Sequence, residues 1–244
     1  MNNKNKYLAL IESNIKKCGY HIYAVKDNGP LPRFCYSIGL TKEIGTELIL
    51  AGALLYTDEE VKVIINEIVG EIKNDINVDN IVTSLGIFSL KTVDSTWSEK
   101  LMLGVFDYYN VSTVSVLQII PKNEYLTIDV PDLSREYNPS LELIWKWLTI
   151  DWNFSISATS VCVTDLDTLQ GKPIIQAIRW EEDYWEIFSK LSSEIIQENT
   201  RFIPIGMLLV IDKANEVFAD LAINEAVSRI DSNHEWEFWD AEDK

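Results

Sequence analysis

Short apolar segments rich in β-branched and aromatic residues alternate along this chain with segments whose apolar residues recur every three or four positions. The first pattern is typical of strands and the second of amphipathic helices. Strands are predicted over residues 20–26, 34–40, 47–51, 85–93 and 114–120, with an edge strand over 235–239. Helices are predicted over residues 5–18, 57–73 and 141–148, and the apolar positions of residues 101–109 fit a short helix or a strand, of which we favour the helix. This mixture predicts an α+β protein in which mainly antiparallel sheets carry packed helices.

The strongest local signal is a helix start at Thr57. Thr57 and Glu60 have the spacing of a capping box, in which each side chain accepts a hydrogen bond from the backbone N–H of the other residue. The apolar residues that follow stay on one helical face as far as Lys73. Gly19 stands where a helix ending at Cys18 needs the left-handed conformation, so it predicts the end of the first helix.

Three further signals concern strands and turns. The segment Glu47–Ala51 carries Leu, Ile and Leu in succession, which predicts a central strand that is buried on both faces. Residues 27–30 combine Asp, Asn, Gly and Pro and predict a turn between the first two strands. We expect Pro121 to stop the strand over 114–120, because proline cannot donate to a ladder of hydrogen bonds.

Negative charge is concentrated in the C-terminal part of the chain. The sequence has 21 Lys and Arg against 38 Asp and Glu, a formal net charge of −17. Residues 1–140 hold 13 basic and 18 acidic side chains, a net −5, whereas residues 141–244 hold 8 and 20, a net −12. Seven of the eight Trp also lie after residue 140. This asymmetry predicts two α+β domains, 1–139 and 140–244, with the boundary after the polar, proline-containing stretch 131–139.

The composition argues against several classes of protein. An acidic chain lacks the basic face that neutralises phosphates, so we expect no nucleic acid partner. No stretch approaches the roughly 20 apolar residues of a membrane helix, and the first residues lack the apolar core of a secretion signal. Three cysteines cannot all pair with each other, which favours a reducing compartment. We therefore expect a soluble cytoplasmic protein, and the sequence leaves its oligomeric state open.

Residues that could catalyse a reaction or hold a metal are few. There are two histidines and no Cys-x-x-Cys, His-x-x-x-His or His-Glu-x-x-His spacing, so neither a metal site nor a cofactor is predicted. Asp165 and Asp167 resemble the start of a calcium loop but lack its glycine and terminal glutamate, and a turn is the simpler interpretation. His21 could activate the thiol of Cys18 or Cys35, while the alternative is that both cysteines pack as small apolar residues. Because no catalytic motif is complete, we expect a protein that is not an enzyme.

A polar cluster in the first half is a candidate small-ligand site. It consists of His21, Arg33, Tyr36 and Ser37, with Arg33 as a bidentate donor to an anion. A sensor or enzyme built on these residues is one hypothesis for the function. The alternative is structural: Tyr36 and Ser37 would alternate across two faces of a strand, and Gly39 would allow a bulge or a close backbone approach. No glycine-rich phosphate loop is present to support nucleotide binding.

A second candidate site lies in the acidic C-terminal part. Its predicted partner-binding residues are Glu181, Glu182, Asp183, Trp185, Glu235, Trp236, Glu237 and Trp239. Aromatic side chains among carboxylates suit the binding of a basic protein, because the rings bury apolar area and the carboxylates steer the approach. The alternative is that the charges form a solvated face and that the tryptophans pack in the core.

The first half also resembles a known family. The residues concerned are Gly19-Tyr20-His21, Arg33-Phe34-Cys35-Tyr36-Ser37-Ile38-Gly39-Leu40-Thr41, Glu47-Leu48-Ile49, Tyr108-Tyr109 and Leu117-Gln118. In this order they resemble a bacterial family called domain of unknown function 4262, whose members carry Pro-Glu-Leu where this chain has Thr46-Glu47-Leu48. The resemblance covers residues up to about 130. It implies no activity, because the family is uncharacterised.

The second half resembles the immunity-protein family formerly called domain of unknown function 2185. The residues concerned are Cys162-Val163-Thr164, Gly171-Lys172-Pro173-Ile174, Glu182, Trp185 and Phe188, followed by an apolar stretch ending at Asp212 and a terminal aromatic segment. The Ser-Gly-Trp of that family has no clear counterpart around Trp185. The resemblance implies a role in neutralising a toxin deployed between competing bacteria. With the acidic composition, it predicts an immunity-type protein whose partner is a basic toxin effector.

Overall fold

A computed structural model gives the fold of the chain. It describes residues 3–25, 33–73, 79–138, 152–210 and 213–243. The chain divides into two compact units. Unit 1 holds the described residues up to Leu126 together with Val130–Asn138, and unit 2 holds Thr127–Asp129 and the described residues from 152 onwards. The predicted boundary between residues 139 and 140 lies outside the described residues.

Unit 1 is built on a six-stranded sheet. Its strands are β1 (His21–Val25), β2 (Phe34–Ile38), β3 (Glu47–Ala51), β4 (Ile81–Thr83), β5 (Gly86–Thr92) and β6 (Val116–Pro121). Its helices are α1 (Asn3–Cys18), α2 (Thr41–Ile44), α3 (Asp58–Lys73), α4 (Ser95–Leu101) and α5 (Leu103–Tyr109). The strand order is β1-β2-β3-β6-β5-β4, and only β3 and β6 are parallel. The predicted central position of Glu47–Ala51 is confirmed, since β3 is internal and all five of its residues are buried.

Both helix signals in the sequence correspond to observed hydrogen bonds. The backbone N–H of Thr57 donates to Glu60 Oε2 at 2.7 Å, and the backbone N–H of Glu60 donates to Thr57 Oγ1 at 3.3 Å. After α1, Gly19 has a φ of 85° and its N–H donates to Ile15 O at 2.8 Å. The capping box and the left-handed glycine therefore begin and end these helices as predicted.

The sheet of unit 1 is covered by helices on both faces. The apolar face of α3 packs on one side, where its Ile64, Ile65 and Ile68 form one cluster with strand residues such as Leu48 and Leu50. On the other side α1 contacts β1 and α5 contacts β2. This double cover explains why the central strand is continuously apolar.

Three features of unit 1 differ from the sequence predictions. The short β4 and α4 are not predicted. The start of α4 nevertheless has a local cause, because Asp94 caps it by accepting a hydrogen bond from Thr96 N at 3.0 Å. The strand predicted over 114–120 does end at Pro121, but the proline is itself the last residue of β6 and pairs with Phe88 of β5. A proline at a strand end removes a single hydrogen bond and is tolerated there.

Unit 2 is built on a second six-stranded sheet. Its strands are β7 (Val161–Asp165), β8 (Gln176–Glu181), β9 (Tyr184–Phe188), β10 (Thr200–Pro204), β11 (Glu225–Ser228) and β12 (Glu237–Asp240). Its helices are α6 (Leu166–Leu169) and α7 (Ile205–Leu209), and a 3-10 segment covers Lys213–Ala219. The strand order is β10-β7-β9-β8-β11-β12, and only β7 and β9 are parallel. Both units therefore confirm the predicted α+β class with mainly antiparallel sheets.

Two predicted elements involve residues outside the described ranges. The helix over 141–148, with Trp145 and Trp147, and the turn over 27–30 lie outside the described residues. Within the described ranges, no helix has both the length and the apolar character needed to cross a membrane.

Candidate functional site

The acidic turn of unit 2 joins β8 to β9 and contains Glu181, Glu182 and Asp183. All three side chains are exposed, and they form no ion pair with any residue that the structure describes. The pairing of the two strands is irregular between Arg179 and Glu181. Such an irregularity bends the strand and redirects the side chains that follow it. The turn therefore presents three carboxylates that form no ion pair within the described structure.

Arg179 holds the backbone of this turn. Its Nε donates to Glu181 O at 3.2 Å, and its Nη2 donates to Glu182 O at 2.9 Å. Its Nη1 donates to Leu221 O at 2.7 Å, and the guanidinium lies 4.6 Å from the ring centroid of Trp185. The cation therefore binds main-chain oxygens and an aromatic face, which leaves the carboxylates of the turn available.

Trp185 does not belong to an exposed surface. Its exposure is 0%, and its Nε1 donates to Phe218 O at 3.1 Å. It lies in β9, which is enclosed between β7 and β8. The structure thus corrects the prediction that Trp185 binds a partner, and the alternative of core packing holds for this residue.

The strand β12 lies at the edge of the sheet, as predicted, but begins at Glu237 rather than at residue 235. Glu237, Phe238 and Asp240 are exposed, and Phe238 is exposed by 58%. Trp239 is half-buried, because it packs with Trp180 against a small apolar cluster. The edge strand therefore combines exposed carboxylates with accessible aromatic surface.

Trp236 precedes this strand and is also half-buried. Its ring centroid lies 5.3 Å from that of Phe218, edge-on, and the Arg229 guanidinium lies 4.1 Å from its centroid. The neighbouring Glu235 is exposed. Trp236 thus contributes to packing with one part of its ring and to the surface with the remainder.

Asn224 connects β12 to the strand that carries the acidic turn. Its N–H donates to Arg179 O at 2.7 Å, and its carbonyl oxygen accepts from Ala241 N at 2.7 Å. Asp240 therefore lies at the end of the sheet where the acidic turn is. Glu237 is three residues away, roughly 10 Å at the usual rise of a strand.

Apart from the buried Trp185 and the half-buried Trp239, the predicted partner-binding residues fall into two groups. The first, which we call the acidic end, consists of Glu181, Glu182 and Asp183 together with Asp240, and the second consists of Glu235, Trp236 and Glu237. A groove of about 340 Å³ lies beside β12 and is lined by Ile223, Glu225, Phe238 and Asp240, among others. Ile223 and Phe238 are 55% and 58% exposed. The groove therefore joins apolar surface to the acidic end.

The four residues of the predicted small-ligand site do not meet in unit 1. Tyr36 and Ser37 are both buried and alternate on opposite sides of β2. The Tyr36 hydroxyl accepts from Gly104 N at 3.3 Å, and burial raises the pKa of this tyrosine. Ser37 Oγ donates to Glu47 Oε2 at 2.5 Å. The structural interpretation therefore holds for these two residues.

Arg33 and His21 have separate partners. Arg33 is 8% exposed, donates to Tyr56 O at 2.6 Å and lies 3.6 Å from a carboxylate oxygen of Asp58. The ring Nδ1 of His21 lies 2.9 Å from the side-chain nitrogen of Asn14, and burial lowers the pKa of this histidine. A ligand would have to displace packed side chains to reach these groups together.

Glu47 is a fully buried carboxylate with five hydrogen bonds. Its Oε1 accepts from Gly39 N at 3.1 Å and from Thr41 N and Oγ1 at 2.9 and 2.8 Å. It also accepts from Tyr109 OH at 2.8 Å, and Ser37 Oγ donates to Oε2. Burial, and then the bond to Glu47, raise the pKa of Tyr109. Glu47 is not among the predicted site residues, although an acidic first residue in an otherwise apolar strand is the signal that marks it.

The cysteines give the nucleophile hypothesis no support. All three are free, with Cys18 exposed and Cys35 and Cys162 buried. Burial is the largest influence on the Cys35 thiol and raises its pKa, which favours the protonated, unreactive form. Cys35 packs in the cluster beneath α3, as its apolar interpretation expects.

The two aspartates of the calcium-like segment have protein partners. Asp165 accepts from Thr168 N at 2.9 Å and from Ser189 N at 2.7 Å, so it caps α6. Asp167 pairs with Lys172 at 3.0 Å and Lys190 at 2.6 Å. Among the described residues, no group of three or more His, Cys, Asp or Glu is placed to hold a metal ion.

A protein-family model matches most of the first half of the chain. Residues 14–125 match the model of a family described as Domain of unknown function (DUF4262). The match lies within the stretch that the motif resemblance covers, and it confirms that resemblance. In the structure the DUF4262 motif residues bind one another, since Glu47 accepts from Ser37, Gly39 and Tyr109. Searches of curated proteins and of solved structures gave no match to the chain.

Proposed function

We propose that this chain is a bacterial immunity-type protein that binds and neutralises a cognate toxin effector through the acidic, aromatic-rich surface of unit 2. The partner is a basic protein. Residues 141–244 carry a net charge of −12 out of −17 for the chain, so the proposed binding unit holds most of the excess negative charge. Such a field raises the rate of association with a basic surface.

The observation that carries this proposal is the state of the acidic turn. The carboxylates of Glu181, Glu182 and Asp183 are exposed and form no ion pair within the described part of the chain, while Arg179 binds the backbone beneath them. A partner therefore does not have to displace an existing ion pair. A turn that is already ordered also loses little conformational entropy on binding.

The edge of unit 2 supplies apolar contacts next to this charge. Phe238 and Ile223 are more than half exposed, and Trp236 and Trp239 are half-buried. Aromatic residues on an otherwise polar surface are typical centres of binding free energy in protein complexes. The acidic end would then steer the partner while these rings hold it.

The resemblance to the former domain of unknown function 2185 supports the biological class. Its Cys162-Val163-Thr164 element lies in β7, and Trp185 lies in the neighbouring β9. Between them, Gly171 has a φ of 90°, which explains the glycine of the Gly-Lys-Pro element. Immunity proteins neutralise by binding, and a binding role agrees with the absence of a complete catalytic motif in the sequence.

The proposal is tested by capture and co-expression. The tagged chain is used to isolate proteins from the producing bacterium, and each captured protein is expressed in a test bacterium with and without the chain. We expect a basic protein that arrests growth alone and not in the presence of the chain. We expect the triple variant Glu181→Gln, Glu182→Gln, Asp183→Asn to lose both capture and protection, most strongly at low salt.

The matched control removes three other carboxylates from unit 2. Glu194, Glu198 and Glu216 are exposed, so the variant with all three changed to Gln has the same net charge as the test variant. We expect it to retain capture and protection. If the turn variant binds as well as the unchanged chain, or if all captured proteins are acidic, the proposed surface is wrong.

A further inference from the structure

A polar cleft lies beside the acidic end of unit 2. Its volume is about 410 Å³, and its lining includes Ser155, Ser157, Ser160, Arg179, Glu182 and Asp183. Two of these residues carry negative charge and three carry hydroxyl groups. The cleft is therefore rich in hydrogen-bond acceptors.

Backbone hydrogen bonds fix the walls of this cleft. Val161 N donates to Asp183 O at 2.8 Å, which joins the segment after Ser160 to the acidic turn. Ser160 N donates to Ser157 O at 3.0 Å, and Ser160 O accepts from Ile205 N at 2.9 Å. The serine segment is thus held between the turn and the start of α7, and the cleft exists before any partner binds.

The side chain of Ser160 is buried, but its hydroxyl group forms no hydrogen bond with the described protein. The residue is 4% exposed, and its Oγ has no hydrogen-bond partner within the described structure. Buried polar groups are almost always hydrogen-bonded, so an unpaired hydroxyl in the wall of a cleft points to a ligand that completes it.

The cation that lines the cleft, Arg179, is already bound to the main chain of the protein. Each nitrogen of Arg179 already donates to a main-chain oxygen, those of Glu181, Glu182 and Leu221. Within the described structure, the carboxylates of Glu182 and Asp183 and the hydroxyl groups of Ser155 and Ser160 have no hydrogen-bond partner. The two carboxylates are acceptors only and outnumber the single guanidinium of Arg179, so the cleft favours a cationic donor over an anion.

We infer that the cleft binds an arginine side chain of the basic partner. A guanidinium is planar and carries five N–H donors, so it can pair in bidentate fashion with one carboxylate and still donate to a hydroxyl. Lysine offers a single ammonium without this fork. The inference rests on the proposed function, because it names the group on the toxin that the acidic end recognises.

The inference is tested with two short peptides of nearly the same shape that differ by one positive charge. Acetyl-Gly-Arg-Gly-amide and its citrulline counterpart are titrated into the whole ¹⁵N-labelled chain, and backbone amide shifts are followed. We expect saturable shifts at Ser157, Ser160 and Asp183 with the arginine peptide and none with the citrulline peptide. Equal shifts with both peptides, or unsaturable shifts spread over all acidic residues, would overturn the inference.

Two variants locate the binding group. Ser160→Ala removes a hydroxyl that has no protein partner, so the fold is kept, and we expect arginine-peptide affinity to fall severalfold. Glu216→Gln removes an exposed carboxylate that does not line the cleft and should leave affinity unchanged. Unchanged affinity in Ser160→Ala would show that the hydroxyl is not part of the site and would overturn the inference.

The same experiments separate this inference from the proposed function. A chain that captures and neutralises a toxin through its acidic turn, yet gives no response to the arginine peptide, overturns the cleft inference alone. A chain that binds the arginine peptide in the cleft but protects against no captured protein overturns the proposed function alone.

Discussion

Arg179 Nη2 donates to the carbonyl oxygen of Glu182 at 2.9 Å, and the Glu182 carboxylate remains unpaired. Adjacent carboxylates on a tight turn repel one another, and a cation beneath the turn offsets part of that repulsion. Because the cation binds the main chain, it does so without occupying the acidic side chains. A single arginine therefore both orders the turn and keeps its charge available.

Replacing Arg179 with lysine should weaken unit 2 although the charge is kept. An ammonium cannot reproduce a fork that reaches three carbonyl oxygens and covers an indole ring. We expect the free energy of unfolding, from urea denaturation followed by circular dichroism, to fall by about 1–3 kcal/mol. Arg135→Lys, at an arginine that is 75% exposed, is the control and should change little. Equal stability of the two variants would show that Arg179 does not order the turn.

Changing Glu47 to glutamine should destabilise unit 1. The buried carboxylate accepts five hydrogen bonds on its two oxygens, and glutamine replaces one of these oxygens by an NH2 group that cannot accept, so at least one donor loses its acceptor. We expect the free energy of unfolding to fall by roughly 2–4 kcal/mol, with the loss of protection in hydrogen exchange confined to unit 1. Glu99→Gln, on the exposed side of α4, is the matched control. Protection of Gly39 and Thr41 amides equal to that of the unchanged chain would contradict this role.

The parts of the fold that the sequence predicts are those with a local cause. The capping box at Thr57 and the left-handed Gly19 act through neighbouring residues, so their pattern is sufficient. The three-residue β4 and the mixed-polarity β11 have no such pattern. They are strands because neighbouring strands supply their hydrogen bonds, which a single segment does not reveal.

The same distinction between local and tertiary causes applies to the candidate site. The exposed acidic turn follows from composition, because three consecutive carboxylates are rarely buried. Whether a tryptophan is exposed depends on its strand's place in the sheet, and Trp185 lies in an enclosed strand while Trp239 lies in the edge strand. The roles of Arg179 and Ser160 arise from tertiary contacts with distant residues, such as Leu221 and Ile205. No spacing rule in the sequence could indicate them.

Acid should weaken unit 1 through His21. Burial lowers the pKa of this histidine below its ordinary value of 6.5, so the unfolded chain binds the proton more readily. The neutral, half-buried His21 makes its full contribution to the free energy of unfolding above pH 6.5. That contribution is lost as the pH falls from 6.5 through the pKa of His21 in the folded state. We expect His21→Gln to reduce the drop in the free energy of unfolding between pH 7.5 and pH 5. His234→Gln is the control, and an identical drop in both variants would contradict the assignment.

Substitution by valine at two buried threonines of unit 2 should change the free energy of unfolding in opposite directions. Thr164 is fully buried in β7 and its Oγ1 has no partner in the described structure, whereas Thr168 Oγ1 donates to Asp165 at 3.2 Å. Thr164→Val replaces an unpaired hydroxyl by a methyl group in a strand, so we expect the free energy of unfolding to rise by about 1 kcal/mol. Thr168→Val breaks a bond and leaves the buried Asp165 with one donor fewer, so we expect a fall of about 1–2 kcal/mol. Urea denaturation of both variants at pH 7 measures the difference. A fall for Thr164→Val as large as that for Thr168→Val would mean that the Thr164 hydroxyl is satisfied in solution, most simply by a buried water.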